Sequence, residues 1–199
     1  MPALDAIAFV RAALPAAPAR VLEIGAGDGA LAQVLRGADY AVTAIDPRGE
    51  AAGVLAIPLL ELAPGEPFDA AVAMTSLHHV EPLVASLEHL ADLLRPGARL
   101  VVDEYDVGAL DERAARWWLA KAGRDDEDPA QFVAHMRDHI ATVERIRSEL
   151  ARWFDQGEPV PGAYLYRHKI GGQHRAEEEA LIAAGELPAT GARWIAVRR

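Results

Sequence analysis

Up to residue 103, short and nearly continuous apolar runs alternate with stretches whose apolar residues recur three or four positions apart. The first kind reads as buried strand, the second as one-sided helix. Leu4, Ile7, Ala8, Phe9, Val10 and Leu14 have helical spacing, and Pro15 and Pro18 end that helix. A strand over 20–25, a helix over 29–35 and a strand over 40–46 follow. A short helix over 49–54 and a short strand within 54–60 come next, stopped by Pro64, Gly65 and Pro67. Residues 69–74 are another strand, and 81–94 a helix with Leu83, Val84, Leu87, Leu90, Leu93 and Leu94 inward. Arg95-Pro96-Gly97 is a turn, and 98–103 a strand. Apolar strands alternating with helices predict a parallel sheet covered on both faces.

The pattern then turns helical, over 109–122 and 129–155, with Asp128-Pro129 as a helix start. The second stretch sets Phe132, Val133, Met136, Ile140, Val143, Ile146, Leu150 and Trp153 on one side, which reads as core. A tyrosine-rich strand over 162–168, a helix over 177–184 closed by Gly185 and Pro188, and a strand over 192–197 complete the chain. No repeat and no long linker interrupts it, so a single domain over residues 1–199 is expected.

Composition narrows the function. A chain of 199 residues, 51% hydrophobic and 25% charged, suits one soluble globular domain with a sizeable core. The net charge of -10 argues against nucleic acid as the main partner, because phosphate binding needs a basic face. The absence of cysteine excludes disulfides, thiolate catalysis and cysteine-based zinc sites. Asp5 comes early and no basic start precedes an apolar stretch, so no secretory leader is expected. No run of about 18 apolar residues offers a membrane span. A cytoplasmic protein acting on a small molecule is the expectation.

The chemistry concentrates at Val21-Leu22-Glu23-Ile24-Gly25-Ala26-Gly27-Asp28-Gly29-Ala30. A strand ends there in three alternating glycines and a helix begins. Without β-carbons the turn lets a ligand lie against the backbone, beside the positive end of the helix. A nucleoside-like ligand is expected. Gly25-x-Gly27-x-x-Ala30 with Asp46 at the next strand end also satisfies the loose dinucleotide fingerprint, so a nicotinamide-dependent oxidoreductase is one reading. Glu23 weighs against it, since a carboxylate beside the turn suits a cationic ligand and repels a pyrophosphate. Gly29 and two downstream segments weigh the same way.

With Val-Leu-Glu-Ile-Gly-Ala-Gly-Asp-Gly, Ala-Ile-Asp-Pro, Phe-Asp-Ala-Ala-Val-Ala-Met-Thr-Ser-Leu-His-His-Val and Leu-Arg-Pro-Gly-Ala-Arg-Leu-Val-Val in order over residues 20–103, the chain resembles the class I S-adenosylmethionine-dependent methyltransferases. The resemblance implies a Rossmann-like seven-stranded sheet, mostly parallel, with helices on both faces. Its last strand would insert antiparallel, and a helical insert over 105–155 would follow strand five and cap the acceptor. Residues 160–199 would supply strands six and seven. It further implies S-adenosylmethionine as methyl donor, S-adenosylhomocysteine as product, and a small-molecule acceptor methylated on O, N or C by in-line displacement. Carried over, Glu23 would meet the methionine ammonium, and Gly25, Ala26 and Gly27 would supply backbone surface. Asp46 would hold the ribose, with Pro47 and Arg48 beside the adenine. Ala73, Met74 and Thr75 would line the donor near its sulfonium. Relatives commonly carry an acidic residue after the third strand; here Ala56-Ile57-Pro58-Leu59-Leu60 has none before Glu61, so Leu59 and Leu60 would hold adenine by backbone and apolar packing. A non-catalytic donor-binding protein is the alternative from another functional class.

The acceptor side is more open. His79, and secondarily His78, is a candidate general base, the alternatives being pocket lining or loop structure. Asp103, Glu104 and Asp106 end strand five, where Glu104 would orient an acceptor, an acid would pair with His79 or Arg113, or the three would form a solvated strand end. Arg113, Trp117 and Tyr164 would line an acceptor pocket, or pack the insert onto the sheet. His135 and His139 stand four apart, as metal pairs can, but no third ligand is apparent, so no metal is expected.

Overall fold

The computed structural model describes residues 6–199, so Leu4 and Asp5 lie outside the described residues. Both faces of its first strand are buried, as an apolar run without alternation requires. In β1 (Arg20–Ile24), Val21 faces one side and Leu22 and Ile24 the other, all under 3% exposed. Parallel to it run β2 (Ala41–Ile45), β3 (Val54–Leu55), β4 (Phe68–Met74) and β5 (Leu94–Tyr105). The last strand, β8 (Gly191–Arg198), lies antiparallel to β5. Two short strands, β6 (Phe154–Gln156) and β7 (Val160–Gly162), share its other edge. The order is β3-β2-β1-β4-β5-β8-β6, with β7 also on β8. This is the mostly parallel sheet with an inserted antiparallel final strand that the motifs implied.

Helices cover both faces. Val21, Val72 and Val101 pack with α1 (Ala6–Ala13) and α2 (Ala30–Arg36) through Val10, Leu31 and Leu35. Leu22, Ile24, Leu100 and Val102 pack with Leu87 and Leu90 of α3 (Leu83–Leu93), and with Ile146 and Leu150 of α6 (Val143–Leu150). Each fully buried side chain of this kind stabilises the fold by roughly 1.5–3 kcal/mol relative to exposure. A second apolar cluster stands past the strand ends. It joins Tyr105, Leu110, Trp118 of α4 (Glu112–Lys121), Val133 of α5 (Pro129–His139), Tyr164 and Leu165. Helix α7 (Arg175–Ala183) packs beside it.

Four expected elements are corrected. The continuous helix over 129–155 is α5, a break, α6 and β6. Ile140 is extended (φ -136°, ψ 147°), the Ala141 amide donates to the His78 carbonyl at 3.2 Å, and Thr142 caps α6 through the Arg145 amide at 3.2 Å. The apolar stripe ran through this break, so its two halves enter different clusters. The strand expected over 162–168 ends at Gly162, because the Tyr164, Leu165 and Tyr166 amides donate to the buried Glu178 carboxylate at 2.8–2.9 Å instead of to a neighbouring strand. The edge strand is therefore the pair β6 and β7, raising the count from seven to eight. The short helix over 49–54 is a turn leading into β3, and the turn at Arg95-Pro96-Gly97 lies within an irregular start of β5, where the register with β4 shifts.

Candidate functional site

Parallel strands end together, so the loops after β1, β2 and β4 meet at one sheet edge. The glycine turn after β1 is tied there by the Gly25 and Ala26 amides, which donate to the Ile45 carbonyl at 2.9 and 3.0 Å. Gly25 and Gly27 play different parts. Gly25 has φ +72°, and a β-carbon on it would stand 2.3 Å from that of Ser76, whose hydroxyl donates to the Ile24 carbonyl at 2.7 Å. Its missing side chain lets the loop after β4 close on the turn. Gly27 has φ +54°, and nothing lies within 4 Å of where its β-carbon would be. Its bare backbone faces open space, as a ligand cradle requires.

The Asp46 carboxylate receives the Gly27 amide at 3.0 Å and the Arg48 amide at 2.8 Å. These bonds hold it at the lip of a cavity of about 370 Å³, lined among others by Gly25, Asp46, Pro47, Arg48, Leu59, Thr75 and His79. That size is within the usual range for small-molecule sites. Thr75 is a non-glycine residue with φ 54°, an uncommon conformation held by its amide's 2.7 Å bond to the Asp103 carbonyl. Tyr164 bonds the Thr75 side chain and stacks on Tyr105, ring centroids 4.6 Å apart. Burial, reinforced for Tyr164 by Glu104 and for Tyr105 by Tyr164, pushes both phenols well above their ordinary value, so both stay protonated.

A larger hollow of about 610 Å³ adjoins this cavity; Val80 and Glu81 line both. Its walls are His78, the segment Val80–Val84, the α5 end with Arg137, Asp138 and His139, then Ile140, Ala141 and Arg145. Arg137 is committed, donating to the Gly108 and Leu110 carbonyls at 3.1 and 2.7 Å.

The other expected residues distribute as follows. Ala26 is buried under α2, Ala73 is wholly buried in β4, and Met74 packs toward α1. None of the three lines the cavity. Leu60 is 42% exposed, because the 3-10 turn at Leu59–Glu61 sends Leu59 inward and Leu60 out. Arg113 and Trp117 line neither of the two cavities. Arg113 pairs with Asp111 at 2.9 Å and with the Gly185 carbonyl at 3.2 Å; the Trp117 indole donates to Glu177 at 3.2 Å. One position along the helix, Trp118 is the buried partner. Asp103 takes Arg167 and Arg193, each at 3.0 Å, while Glu104, on the opposite face of β5, takes His78 rather than His79. Pro58, Ser76, Val80 and Glu81 also line the smaller cavity; all but Glu81 stand in quoted segments without having been singled out there. Among the described residues no group of three or more His, Cys, Asp or Glu side chains is placed to hold a metal ion.

Glu23 lies under α2. Its side chain is on the Val21 face and buried, and Oε2 has no hydrogen-bond partner among the described residues. Burial raises its pKa from 4.5 to about 7, against the opposing pull of Arg36. A carboxyl whose folded value is raised contributes fully below its unfolded value and loses that contribution as pH rises through about 7. The parent protein should therefore lose up to roughly 3 kcal/mol between about pH 5 and 8. Glu23→Gln should remove most of that slope in urea unfolding across this window. A variant falling in parallel with the parent would show that Glu23 is not the titrating group.

Comparison with known proteins agrees with this geometry. The sequence model of a family described as a methyltransferase domain matches residues 3–156. The chain is similar to a ubiquinone biosynthesis O-methyltransferase of Xanthomonas campestris pv. campestris (strain B100), 32% identical over 179 residues, covering 78% of this chain and 67% of that one. A protein of the same name from Xylella fastidiosa is 30% identical over 175 residues, covering 71% and 69%. Among solved structures, an S-adenosylmethionine-dependent methyltransferase from Mesorhizobium loti superposes with a TM-score of 0.63 at 17% identity, over 95% of each chain. The N-methyltransferase NodS from Bradyrhizobium japonicum, in complex with S-adenosyl-l-homocysteine, gives 0.58 at 18% identity, over 96% of this chain and 83% of that one.

Proposed function

This chain belongs to the class I S-adenosylmethionine-dependent methyltransferases, and from that premise we propose that its donor lies in the cavity at Asp46, beside the glycine turn. The protein is an enzyme that transfers a methyl group from S-adenosylmethionine to a small molecule. Bound donor supplies a methyl group already activated by the positive sulfonium. The chain's own task is to hold, align and keep out water, an effect worth roughly 7–11 kcal/mol in favourable cases.

The observation that carries the donor assignment is the open side of Gly27 against the fixed Asp46 carboxylate. Asp46 keeps acceptor capacity for two ribose hydroxyls, Pro47 and Arg48 flank the adenine, and Leu59 with Pro58 packs against it. Thr75 and His79 stand toward the methyl group. The acceptor atom in this reading is oxygen, supported by the names of the two curated relatives. Nucleic acid is left aside on the net charge of -10, and the cytoplasm is the compartment a cysteine-free chain suits. We read residues 20–103 as the donor core, 105–155 as the acceptor cap and 160–199 as the closing edge of one domain. Calorimetry with S-adenosylhomocysteine tests the donor site: saturable binding that raises the unfolding midpoint is expected. No heat and no shift at millimolar ligand would refute it.

A further inference from the structure

We propose that the acceptor is a hydroxylated small molecule seated in the larger hollow, and that His78, oriented by Glu104, takes its hydroxyl proton. The assignment rests on the methyl-transfer reading above.

Glu104 is wholly buried at the end of β5, on the face of Val102. Its carboxylate receives the Leu77 amide at 2.8 Å, the Tyr105 amide at 2.9 Å and Nδ1 of His78. Two of these partners are obligate donors, so the carboxylate is held as an acceptor, and Nδ1 of His78 carries the hydrogen. In the neutral imidazole Nε2 then bears the lone pair. Among the described residues Nε2 has no hydrogen-bond partner, and His78 is one of the residues that line the larger hollow. The orientation is the one by which a buried carboxylate prepares an imidazole to accept a proton and steadies the resulting cation.

Of the titratable groups that line the hollow, Glu81 and Asp138 among them, only His78 is paired with a buried carboxylate among the described residues. Burial, with His78 and Arg48 nearby, lowers the His79 pKa, but among the described residues no hydrogen bond fixes which of its ring nitrogens carries the hydrogen. The Tyr105 and Tyr164 phenols stay protonated. His139 bonds the His135 carbonyl at 2.7 Å, and Arg137 holds backbone carbonyls. The hollow's lining is mixed: Val80, Pro82, Leu83, Ile140 and Ala141 are apolar, while Glu81, Asp138 and Arg145 join Arg137 and His139 as charged or titratable groups. The Ala141 amide bond to the His78 carbonyl ties the α5–α6 wall to the same residue. In the step itself the acceptor's O–H bond breaks toward Nε2 as its oxygen bonds the methyl carbon. The electron pair of the breaking carbon–sulfur bond stays on sulfur, which becomes neutral. The positive charge passes to the His78 imidazolium beside Glu104, and the proton then leaves to water.

The test uses the full chain with S-adenosylhomocysteine, catechol and 4-nitrocatechol, whose acidic hydroxyl needs no base near neutral pH. Histidine ¹⁵N spectra should show His78 protonated at Nδ1, with catechol shifting its Nε2 signal. His78→Ala should slow methyl transfer to catechol by roughly 10²–10⁴-fold. Transfer to 4-nitrocatechol should fall far less, and calorimetric S-adenosylhomocysteine affinity should stay the same. Glu104→Gln should bring in the other His78 tautomer and give a smaller loss of the same selectivity. Equal losses with both acceptors, an Nε2-protonated His78, or no response of His78 to either phenol would overturn the proposal while donor binding persisted. A parent protein that bound no S-adenosylhomocysteine would overturn the donor reading beneath it.

Discussion

Gly27→Val is expected to abolish S-adenosylhomocysteine binding, while the ligand-free protein still folds. At a ligand concentration 100 times its dissociation constant, the parent gains about 2.7 kcal/mol of stability, and the variant should gain none. The added side chain would point into space where the structure places nothing within 4 Å, which is where the proposed donor lies. The substitution has a second cost, because φ at this residue is +54° and a branched side chain there is strained by roughly 1–3 kcal/mol. Gly97→Val separates the two effects. Gly97 also has positive φ (+81°) and nothing within 4 Å of its missing β-carbon, but it stands at the opposite end of the sheet, at the start of β5. It should lose comparable stability and bind ligand normally. Equal binding by the parent and Gly27→Val in calorimetry would remove Gly27 from the donor site.

Trp118→Ala should be the most damaging single truncation in the second cluster. The side chain is 1% exposed and stacks on Phe132 with centroids 5.0 Å apart. Its indole donates to the His168 carbonyl at 2.7 Å, and the Arg124 guanidinium lies 5.4 Å from the ring centre. Removing a buried aromatic of this size costs about 3–5 kcal/mol, and the abandoned carbonyl adds to that. The loss should appear as a lower urea midpoint. Donor affinity should change little, because the cavity at Asp46 is lined from the ends of β1 and β2, the loops after β1 to β4 and the start of α3. Trp117→Ala, losing an exposed bond to Glu177, should cost much less. Equal effects of the two tryptophans would mean that α4 packs by a different face.

The donor side was legible because its signals are local. A strand, a turn that only glycine fits and a strand-end aspartate occupy short windows, and their spacing brought Gly25, Gly27 and Asp46 together as expected. The break at Ile140–Thr142 was hidden by an apolar period that runs through it without a Gly or Pro. Only the His78 carbonyl, 63 positions away, makes Ala141 leave the helix. The tyrosine segment likewise has strand composition, and Glu178 withdraws its amides from the sheet. Neither partner is visible in a window of neighbouring residues.

By itself the sequence determined the class of fold and the donor, and it marked the glycine turn and Asp46, where we propose that the donor binds, since apolar period and glycine geometry act over a few residues. The tertiary structure decided which acid meets which base. Asp103 and Glu104 are adjacent in the chain but face opposite sides of β5, so one meets Arg167 and Arg193 and the other meets His78. Pairing in a pleated sheet, where each step along the strand reverses the side chain, made that choice.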